Sequence, residues 1–263
     1  MNDILSVILL GIIEGITEFL PISSTGHLLI AEHWLGARSD LFNIAIQAGA
    51  ILAVCLLYRQ RLWQLATGLG DPEQRRYTAK LALAFAITAV LGLVVAKAGF
   101  KLPTEIAPIA WALVIGGLWI LLAERLVANR PDVTEIAWHT AALVGLFQVV
   151  AGVFPGTSRS AATIFVALLA GTTSRAAATE FAFLVGIPTM FAASGYELAK
   201  TLEAGQTHED WSLLAIAFAV SCVTAFVAVR WLLGYIRTHR FTAFAWYRIA
   251  LGLALLLGLP AAS

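Results

Sequence analysis

The sequence predicts an all-α polytopic membrane protein with six transmembrane helices and two re-entrant helical hairpins in an inverted-topology repeat. The 263 residues are 60% hydrophobic and 13% charged, whereas soluble domains average roughly 45–50% and about 25%. Six apolar segments are long, and two further apolar regions are each interrupted by proline and small polar residues. With a mean hydropathy of +0.84, such a chain needs lipid to solvate its surface.

Six segments are long enough to cross the hydrocarbon core of a bilayer, which takes about 20 helical residues. They are residues 40–58, 76–97, 105–124, 174–198, 211–233 and 242–260. The last segment contains Arg248, which lies near enough to its start to snorkel to the interface or to find a partner. We therefore expect six full crossings.

The other two apolar regions, 4–36 and 135–171, each contain a helix breaker near the middle. The first break is Pro21-Ile22-Ser23-Ser24-Thr25, and the second is Pro155-Gly156-Thr157-Ser158-Arg159-Ser160. Proline cannot continue a helix, and the hydroxyl residues that follow favour the start of a new one. Because each arm is too short to span a bilayer, we expect two re-entrant hairpins whose tips lie at membrane depth.

The two interrupted regions also resemble each other. A shift of 134 residues places Gly11 on Gly145, Glu14 on Gln148, Pro21 on Pro155, Ser23 on Thr157 and Ser24 on Ser158. Three crossings lie between the hairpins, so the second hairpin must enter from the face opposite the first. We therefore expect one membrane domain, 1–263, built from two inverted repeats, residues 1–124 and 135–263.

Lysine and arginine residues orient this topology. Four of them fall on one face, and eleven fall on the other: Arg59, Arg61, Arg75, Arg76, Lys80, Arg125, Arg130, Arg175, Arg230, Arg237 and Arg240. The richer face is predicted to be cytoplasmic, so both termini and the mouth of the first hairpin face the periplasm or the outside. The start, Met1-Asn2-Asp3, has no basic leader, and we expect no cleaved signal peptide.

Several classes of function receive no support from the sequence. A net charge of +1 gives no reason to expect nucleic-acid binding. Cys55 and Cys222 lie in separate apolar stretches without the spacing of a disulfide framework or a zinc site. Walker A, dinucleotide-binding, HExxH and GxSxG patterns are absent from the chain.

Two carboxylates and an arginine are the first candidates for chemistry. Glu14 and Glu18 lie four residues apart and share one helix face. A charge at bilayer depth costs roughly 2.5–3.5 kcal/mol, so these carboxylates and Arg159 need a cation, a shared proton or each other. The alternative is a pair of glutamates at a helix end in the headgroup layer.

The hydroxyl residues after each break stand where the N-terminus of a half-helix would bind an anion. Ordinary N-capping is the alternative for these hydroxyls, but it would not explain Arg159, which suits bidentate binding of phosphate or diphosphate. His27 follows Ser24 by one helical turn and is a candidate nucleophile or general acid and base, or else a locally bonded side chain. Gly11 and Gly15 fit close helix packing. Four further polar residues inside apolar segments have no motif, and we expect them either to support site residues or to be structural: Gln47, His139, Glu180 and Arg248.

Residues 14–27, EGITEFLPISSTGH, and 155–163, PGTSRSAAT, resemble the two signature motifs of the bacterial undecaprenyl-diphosphate phosphatase, or bacitracin-resistance, family. The resemblance extends along essentially the whole chain. It implies a bacterial inner-membrane enzyme that hydrolyses undecaprenyl diphosphate to undecaprenyl phosphate and inorganic phosphate, which recycles the lipid carrier for peptidoglycan synthesis. It also implies the inverted-repeat fold and an outward-opening site.

The motif match, together with the hydroxyl residues at the two predicted helix starts, indicates the site residues. The catalytic candidates are Glu14, Glu18, Ser24, His27 and Arg159, and the substrate-binding candidates are Ser23, Thr25, Ser158, Arg159, Ser160 and Thr163. A divalent cation, Mg²⁺ or Ca²⁺, is expected between Glu14 and Glu18 because hard cations prefer oxygen ligands. Either His27 or Ser24 attacks the terminal phosphorus, or His27 activates water. Membrane lipids are expected partners, and a homodimer is considered.

Two rival functions are considered. Acid-phosphatase-like lipid phosphatases would need a histidine and an aspartate after Arg159, and residues 160–171 contain neither. A lipid-phosphate flippase or transporter is the stronger rival because inverted repeats with broken helices are a transporter design. Movement of lipid phosphate across a sealed vesicle, without consumption of diphosphate, would distinguish the flippase.

Overall fold

The computed structural model describes residues 3–98, 105–203 and 210–258, and these residues form eleven helices and no strand. The helices are α1 (Asp3–Thr17), α2 (Ser24–Leu35), α3 (Asp40–Leu57), α4 (Arg59–Thr67), α5 (Pro72–Lys97), α6 (Ile106–Val127), α7 (Trp138–Val153), α8 (Arg159–Leu169), α9 (Arg175–Glu203), α10 (Trp211–Tyr235) and α11 (Thr242–Gly258). Both chain ends, Lys101 and residues 259 and 260 of the sixth predicted span lie outside the described residues.

Five of the six predicted crossings are helices that are long and apolar enough to cross a membrane. They are α3, α5, α6, α9 and α10, which have 18 to 29 residues and include 18-residue stretches with a mean hydropathy between 1.5 and 2.4. The prediction of an all-helical, multi-pass membrane protein is therefore confirmed. The described part of α11 has 17 residues, or about 26 Å at roughly 1.5 Å per residue, and its full crossing stays a prediction.

The two helix breaks occur where proline and the hydroxyl residues predict them. The first separates α1 from α2 and the second separates α7 from α8. The residues before α2 and α8, Ser23 and Ser158, have φ angles of 74° and 70°, which non-glycine residues rarely adopt. Their hydroxyls accept hydrogen bonds from the backbone N–H groups of Gly26 at 3.4 Å and Ala161 at 3.3 Å. Both breaks thus have the same capping geometry.

The alignment of the two breaks requires a correction. A shift of 134 residues pairs Ser24 with Ser158, but the structure gives Ser23 and Ser158 the same position, so Ser24 corresponds to Arg159. The second break contains one more residue between its proline and its cap. Gly156 accommodates this residue with a φ of 91°, at a site where a Cβ atom would lie 2.8 Å from a backbone carbonyl of α6.

Helices of the two halves pack in matching pairs. The pairing of α1 with α10 matches that of α7 with α5, and the pairing of α3 with α10 matches that of α9 with α5. In addition, α3 packs against its counterpart α9, and α6 packs against its counterpart α11. A Cβ atom would approach within 2.9 Å of an α10 carbonyl at Gly11 and within 2.5 Å of an α5 carbonyl at Gly145. The carbonyls of Gly11 and Gly145 accept hydrogen bonds from Thr224 at 3.4 Å and Thr88 at 2.9 Å. The close packing predicted at Gly11 is confirmed.

The ends of each broken helix pair come together. Asp3, at the start of α1, accepts a hydrogen bond at 3.1 Å from Arg38, which follows α2. The carbonyl of Ala170, after α8, lies 2.8 Å from Nε2 of His139 and accepts a hydrogen bond from Thr140 at 3.3 Å, both at the start of α7. Each pair of helices therefore turns back at its break.

Polar contacts gather several helix ends at one end of the bundle. Arg175, at the start of α9, donates to both carboxylate oxygens of Glu124 near the end of α6, at 2.9 and 2.5 Å. Glu124 also accepts from the backbone N–H of Phe241, just before α11, at 2.9 Å. Arg61, in α4, donates to Glu180 of α9 at 3.0 Å. Helix α4 is not among the predicted elements.

The two short helices after the breaks differ in burial. Nine consecutive residues of α8, Ser160–Leu168, are buried, and Phe165 packs edge-to-face on Phe241 with ring centroids 5.1 Å apart. In α2 only Gly26 is buried. Helix α8 is therefore enclosed by the main apolar core, whereas α2 lies along a more open side of the bundle.

Candidate active site

Glu18 connects the two breaks. It follows the last residue of α1, its backbone N–H donates to the carbonyl of Glu14 at 2.9 Å, and it is buried. Its Oε1 accepts a hydrogen bond from Nη2 of Arg159 at 2.7 Å, and its Oε2 accepts one from Oγ of Ser24 at 2.5 Å. One carboxylate thereby joins the first residues of α2 and α8, and the structure brings three of the catalytic candidates together.

The buried hydroxyls of α8 tie the second break to the first. Ser160 Oγ donates to the carbonyl of Leu20 at 3.0 Å and lies 3.0 Å from Oγ of Ser158. Thr163 Oγ1 donates to the carbonyl of Arg159 at 2.7 Å. Since Ser160 and Thr163 are both buried and bonded to backbone, they hold the tip of α8 in place.

A cavity of about 230 Å³ lies where the N-termini of α2 and α8 meet, and we call it the outer cavity. The first N–H groups of a helix lack acceptors within that helix, so both termini present donors and positive dipole ends at this point. Such an arrangement favours an anion. Six of the predicted site residues line the outer cavity: Glu18, Ser23, Ser24, Thr25, Ser158 and Arg159.

Glu14 lies one turn before Glu18 and is 1% exposed. Its Oε2 atom is buried and has no hydrogen-bond partner among the described residues. A buried carboxylate oxygen without a partner is costly unless a proton or a cation accompanies it. Across the described ranges, no three His, Cys, Asp or Glu side chains form a group that could hold a metal ion. Glu14 and Glu18 are the two carboxylates that could hold one, with substrate oxygens and water as further ligands, as Mg²⁺ accepts.

His27 points away from this cluster. Its Nδ1 lies 2.7 Å from the carbonyl of Ser23, and its Nε2 lies 2.7 Å from the phenol oxygen of Tyr247. The rings of His27 and Tyr247 stack with an angle of 7° and centroids 5.6 Å apart. Because a carbonyl only accepts, Nδ1 carries the proton of the neutral ring and Nε2 accepts from Tyr247. His27 is not among the residues that line the outer cavity.

Arg248 donates hydrogen bonds to both breaks and to α6. Its side chain is fully buried in α11. The guanidinium donates to the carbonyls of Pro21 at 3.2 Å and Gly156 at 2.9 Å, one in each break. It also donates to the carbonyls of Ala112 at 3.1 Å and Leu113 at 3.4 Å. Of the two alternatives predicted for Arg248, finding partners is confirmed and snorkelling is wrong.

Comparison with known proteins identifies the family. The family model described as bacitracin resistance protein BacA matches residues 7–254. The chain belongs to this family. An undecaprenyl-diphosphatase of Rhizobium etli is 66% identical over 260 residues, which cover 98% of each chain. Undecaprenyl-diphosphatases of Xanthomonas oryzae pv. oryzae and Xanthomonas campestris pv. campestris are each 61% identical over the full length of both chains.

Two residues of this BacA-family site were not predicted as site residues from the sequence. Arg248 is the basic residue within an apolar stretch from 242 to 258, and that isolation is a signal of a buried partner. Tyr247 carries no comparable signal, because its contact with His27 joins residues 220 positions apart. Sequence spacing alone does not reveal such a contact.

Proposed function

We propose that this chain hydrolyses undecaprenyl diphosphate to undecaprenyl phosphate and inorganic phosphate. This reaction recycles the lipid carrier for peptidoglycan synthesis and gives resistance to bacitracin. The observation that carries the proposal is the outer cavity, where two helix N-termini meet beside the Glu18–Arg159 pair. The names of the full-length relatives agree with this activity.

The proposed membrane topology has six crossings and two re-entrant hairpins in an inverted repeat, with repeats at 1–124 and 135–263. The matching helix pairs support it, since each hairpin packs against the other half. The ends of the α1–α2 pair meet near Arg38, and those of the α7–α8 pair meet at Ala170. Helix α3 begins soon after Arg38 and ends beside α4. Arg61 of α4 contacts Glu180 near the start of α9, and α9 begins soon after Ala170. The two hairpins thus enter from opposite ends and meet at their tips.

The proposed orientation places the outer cavity toward the periplasm in the bacterial inner membrane. The bundle end joined by the Arg175–Glu124 and Arg61–Glu180 pairs belongs to the face with eleven basic residues. The positive-inside rule makes that face cytoplasmic. Both chain termini and the mouth of the first hairpin then lie on the outer side, where α2 is less enclosed than α8.

The outer cavity is proposed to bind the diphosphate headgroup. Its volume of about 230 Å³ is below the roughly 300–1,000 Å³ of typical ligand pockets, so the prenyl chain remains in lipid. Arg159 supplies a planar fork for phosphate oxygens, and the backbone N–H groups of Ser24 and Thr25 lie at the start of α2. Ser23 and Ser158 shape the cavity as helix caps.

Ser24 is the proposed nucleophile, and Glu18 is its base. The Ser24 hydroxyl donates to Oε2 of Glu18, so a proton acceptor is in place. The Ser24 oxygen bonds to the terminal phosphorus, Glu18 takes the hydroxyl proton, and the bond to the bridging oxygen breaks to release undecaprenyl phosphate, which takes the proton from Glu18 as it leaves. Water then hydrolyses the phosphoserine. Trapping a phosphorylated enzyme on Ser24 supports this route, whereas a phosphohistidine at His27, or no covalent intermediate, contradicts it.

Glu14 and Glu18 are the proposed ligands of Mg²⁺ or Ca²⁺. The unpartnered Oε2 atom of Glu14 and the adjacent Glu18 carboxylate fit a hard cation. The chemistry that such a cation supplies when bound is neutralisation of negative charge on the phosphoryl group. Full activity in strong chelator would contradict this assignment.

Phosphate release from undecaprenyl diphosphate by the purified protein in detergent tests the proposed function. Wild type is expected to release phosphate, and Arg159→Ala and Glu18→Ala are expected to abolish release while the protein stays helical by circular dichroism. Chelator should abolish release and added Mg²⁺ or Ca²⁺ should restore it. A folded wild type that releases no phosphate would contradict the proposal.

A lipid-phosphate flippase is the second candidate, because broken helices in paired halves are also a transporter design. Transfer of lipid phosphate across sealed vesicles, without phosphate release, would favour it.

The homodimer considered from the sequence stays a prediction, which the mass of the protein in a lipid nanodisc would test.

A further inference from the structure

Gln148 is a buried amide without a partner. It lies on α7, is 4% exposed, and neither its Oε1 nor its Nε2 atom has a hydrogen-bond partner among the described residues. Buried side-chain amides nearly always make hydrogen bonds, so an amide whose oxygen and nitrogen both lack a partner needs an explanation. The amide can both donate and accept, which suits a small polar ligand.

A cavity of about 20 Å³ lies against Gln148, and we call it the inner chamber. Its polar lining is Glu18, Gln148, Arg159, Ser160 and Thr163, and the rest of its wall is apolar and includes residues of α9. Glu18 and Arg159 also line the outer cavity, so their ion pair is the boundary that the two spaces share. The inner chamber therefore adjoins the atoms proposed to act on the diphosphate.

The volume and lining of the inner chamber select its occupant. A buried water needs roughly 10–15 Å³ and two to four polar partners, which the inner chamber supplies. A phosphate group is larger than this space. We propose that the inner chamber binds the hydrolytic water and that Gln148 is a positioning residue for it. This inference rests on the proposed phosphatase function.

Every hydrolytic route at this site needs such a water. Its oxygen bonds to the phosphorus held on Ser24, one of its protons passes to the deprotonated Glu18 and on to the Ser24 oxygen, and the bond between phosphorus and that oxygen breaks to release phosphate and restore the Ser24 hydroxyl. Glu18 faces both Ser24 and the inner chamber, so one carboxylate can serve both steps. The repeat aligns Gln148 with Glu14, and an amide at this position orients water without adding negative charge beside Glu18.

Gln148→Met tests the role of the amide, because methionine keeps the length of the side chain and removes its polar atoms. We expect kcat to fall about tenfold to a hundredfold, as for other misplaced reacting groups, with KM unchanged within about twofold because the outer cavity is intact. Gln47→Met, which removes a half-buried amide on α3, is the matched control and should retain wild-type kcat. An unchanged kcat for folded Gln148→Met, or a raised KM alone, would overturn the inference.

A second measurement tests whether the molecule that attacks the phosphorus comes from the inner chamber or from the outer cavity. Phosphate release is run in aqueous methanol, and the products are separated by ³¹P NMR. Because the inner chamber has room for one water, wild type should yield inorganic phosphate and no methyl phosphate, whereas Gln148→Ala should yield both. Methyl phosphate from wild type would show attack from the outer cavity and would overturn the inference. A wild type that consumes no diphosphate would instead reject the proposed function.

Discussion

The two helix breaks share a backbone and differ in what they carry. Each ends in a serine with positive φ, Ser23 or Ser158, whose hydroxyl caps the helix that follows. The next residue is Ser24 in the first break and Arg159 in the second. The first break contributes the Glu18 carboxylate and the Ser24 hydroxyl, and the second contributes the Arg159 guanidinium. The two breaks therefore have the same backbone geometry and carry side chains of opposite charge.

The surroundings of the breaks also differ. Helix α8 is buried over nine consecutive residues, whereas α2 buries only Gly26. A positive φ in a serine costs roughly 1–3 kcal/mol and persists only where neighbouring structure holds it. Arg248 donates to a carbonyl of each break and supplies part of that support. The second break therefore lies before the more enclosed helix, and the first lies before the helix on the more open side of the bundle.

Glu18→Gln should have the largest effect, because it removes the proposed base and keeps the shape of the side chain. We expect kcat for phosphate release to fall by roughly 10²- to 10⁴-fold. The matched control is Glu180→Gln, which breaks the ion pair with Arg61 near the start of α9 and should leave kcat within about twofold. Equal losses in the two variants would contradict a special role for the first break.

Arg159→Lys tests the second break. Lysine keeps the positive charge and loses the planar fork, so we expect kcat/KM to fall by about 10²- to 10³-fold. Arg175→Lys is the control, since Arg175 makes a comparable pair with Glu124 where α6 ends and α9 begins. Wild-type kinetics in Arg159→Lys would mean that charge alone holds the diphosphate.

Arg248→Met should act on both breaks at once. It leaves four backbone carbonyls without this donor, and each unpaired buried acceptor costs roughly 1–3 kcal/mol. Relief of the buried charge offsets part of that cost, and we expect a net loss of about 1–3 kcal/mol in the free energy of unfolding, measured by thermal and denaturant melts in detergent. Arg248→Lys should fall between wild type and Arg248→Met. A melting temperature equal to that of wild type in Arg248→Met would show that the breaks do not need this anchor.

Tyr247→Phe should have the smallest effect. It removes the phenol from Nε2 of His27 and keeps the stacked ring. A neutral hydrogen bond contributes about 0.5–1.5 kcal/mol, and His27 also bonds the carbonyl of Ser23, next to the proposed nucleophile, so kcat should change by roughly twofold to tenfold. Tyr235→Phe, which alters a tyrosine stacked on His239, is the control and should leave kcat unchanged. A loss as large as that of Glu18→Gln would place His27 at the centre of the chemistry.

The sequence was sufficient to predict the elements that depend on local composition. Five spans follow from apolar length, and both breaks follow from Pro21 and Pro155 with their hydroxyl neighbours. The odd number of crossings between the breaks predicts hairpins that enter from opposite faces with their tips at membrane depth, and Glu18 of the first pairs with Arg159 of the second. These features depend on hydropathy, proline geometry and counting.

The rest depends on contacts between distant parts of the chain. The correspondence of Ser24 with Arg159 depends on one extra residue at Gly156, whose φ angle no spacing rule reveals. The bonds of Arg248 to both breaks and the stacking of Tyr247 on His27 join α11 to residues more than 90 positions away. Helix α4 is short and polar, so a search for apolar length does not find it.

A double-mutant cycle in kcat/KM tests most directly whether the two breaks form one site. Phosphate release from undecaprenyl diphosphate is measured for wild type, Glu18→Gln, Arg159→Lys and the double variant. Residues that act as a unit give non-additive losses, so the double variant should be no slower than the slower single variant. Losses that multiply, as for independent positions, would contradict the account.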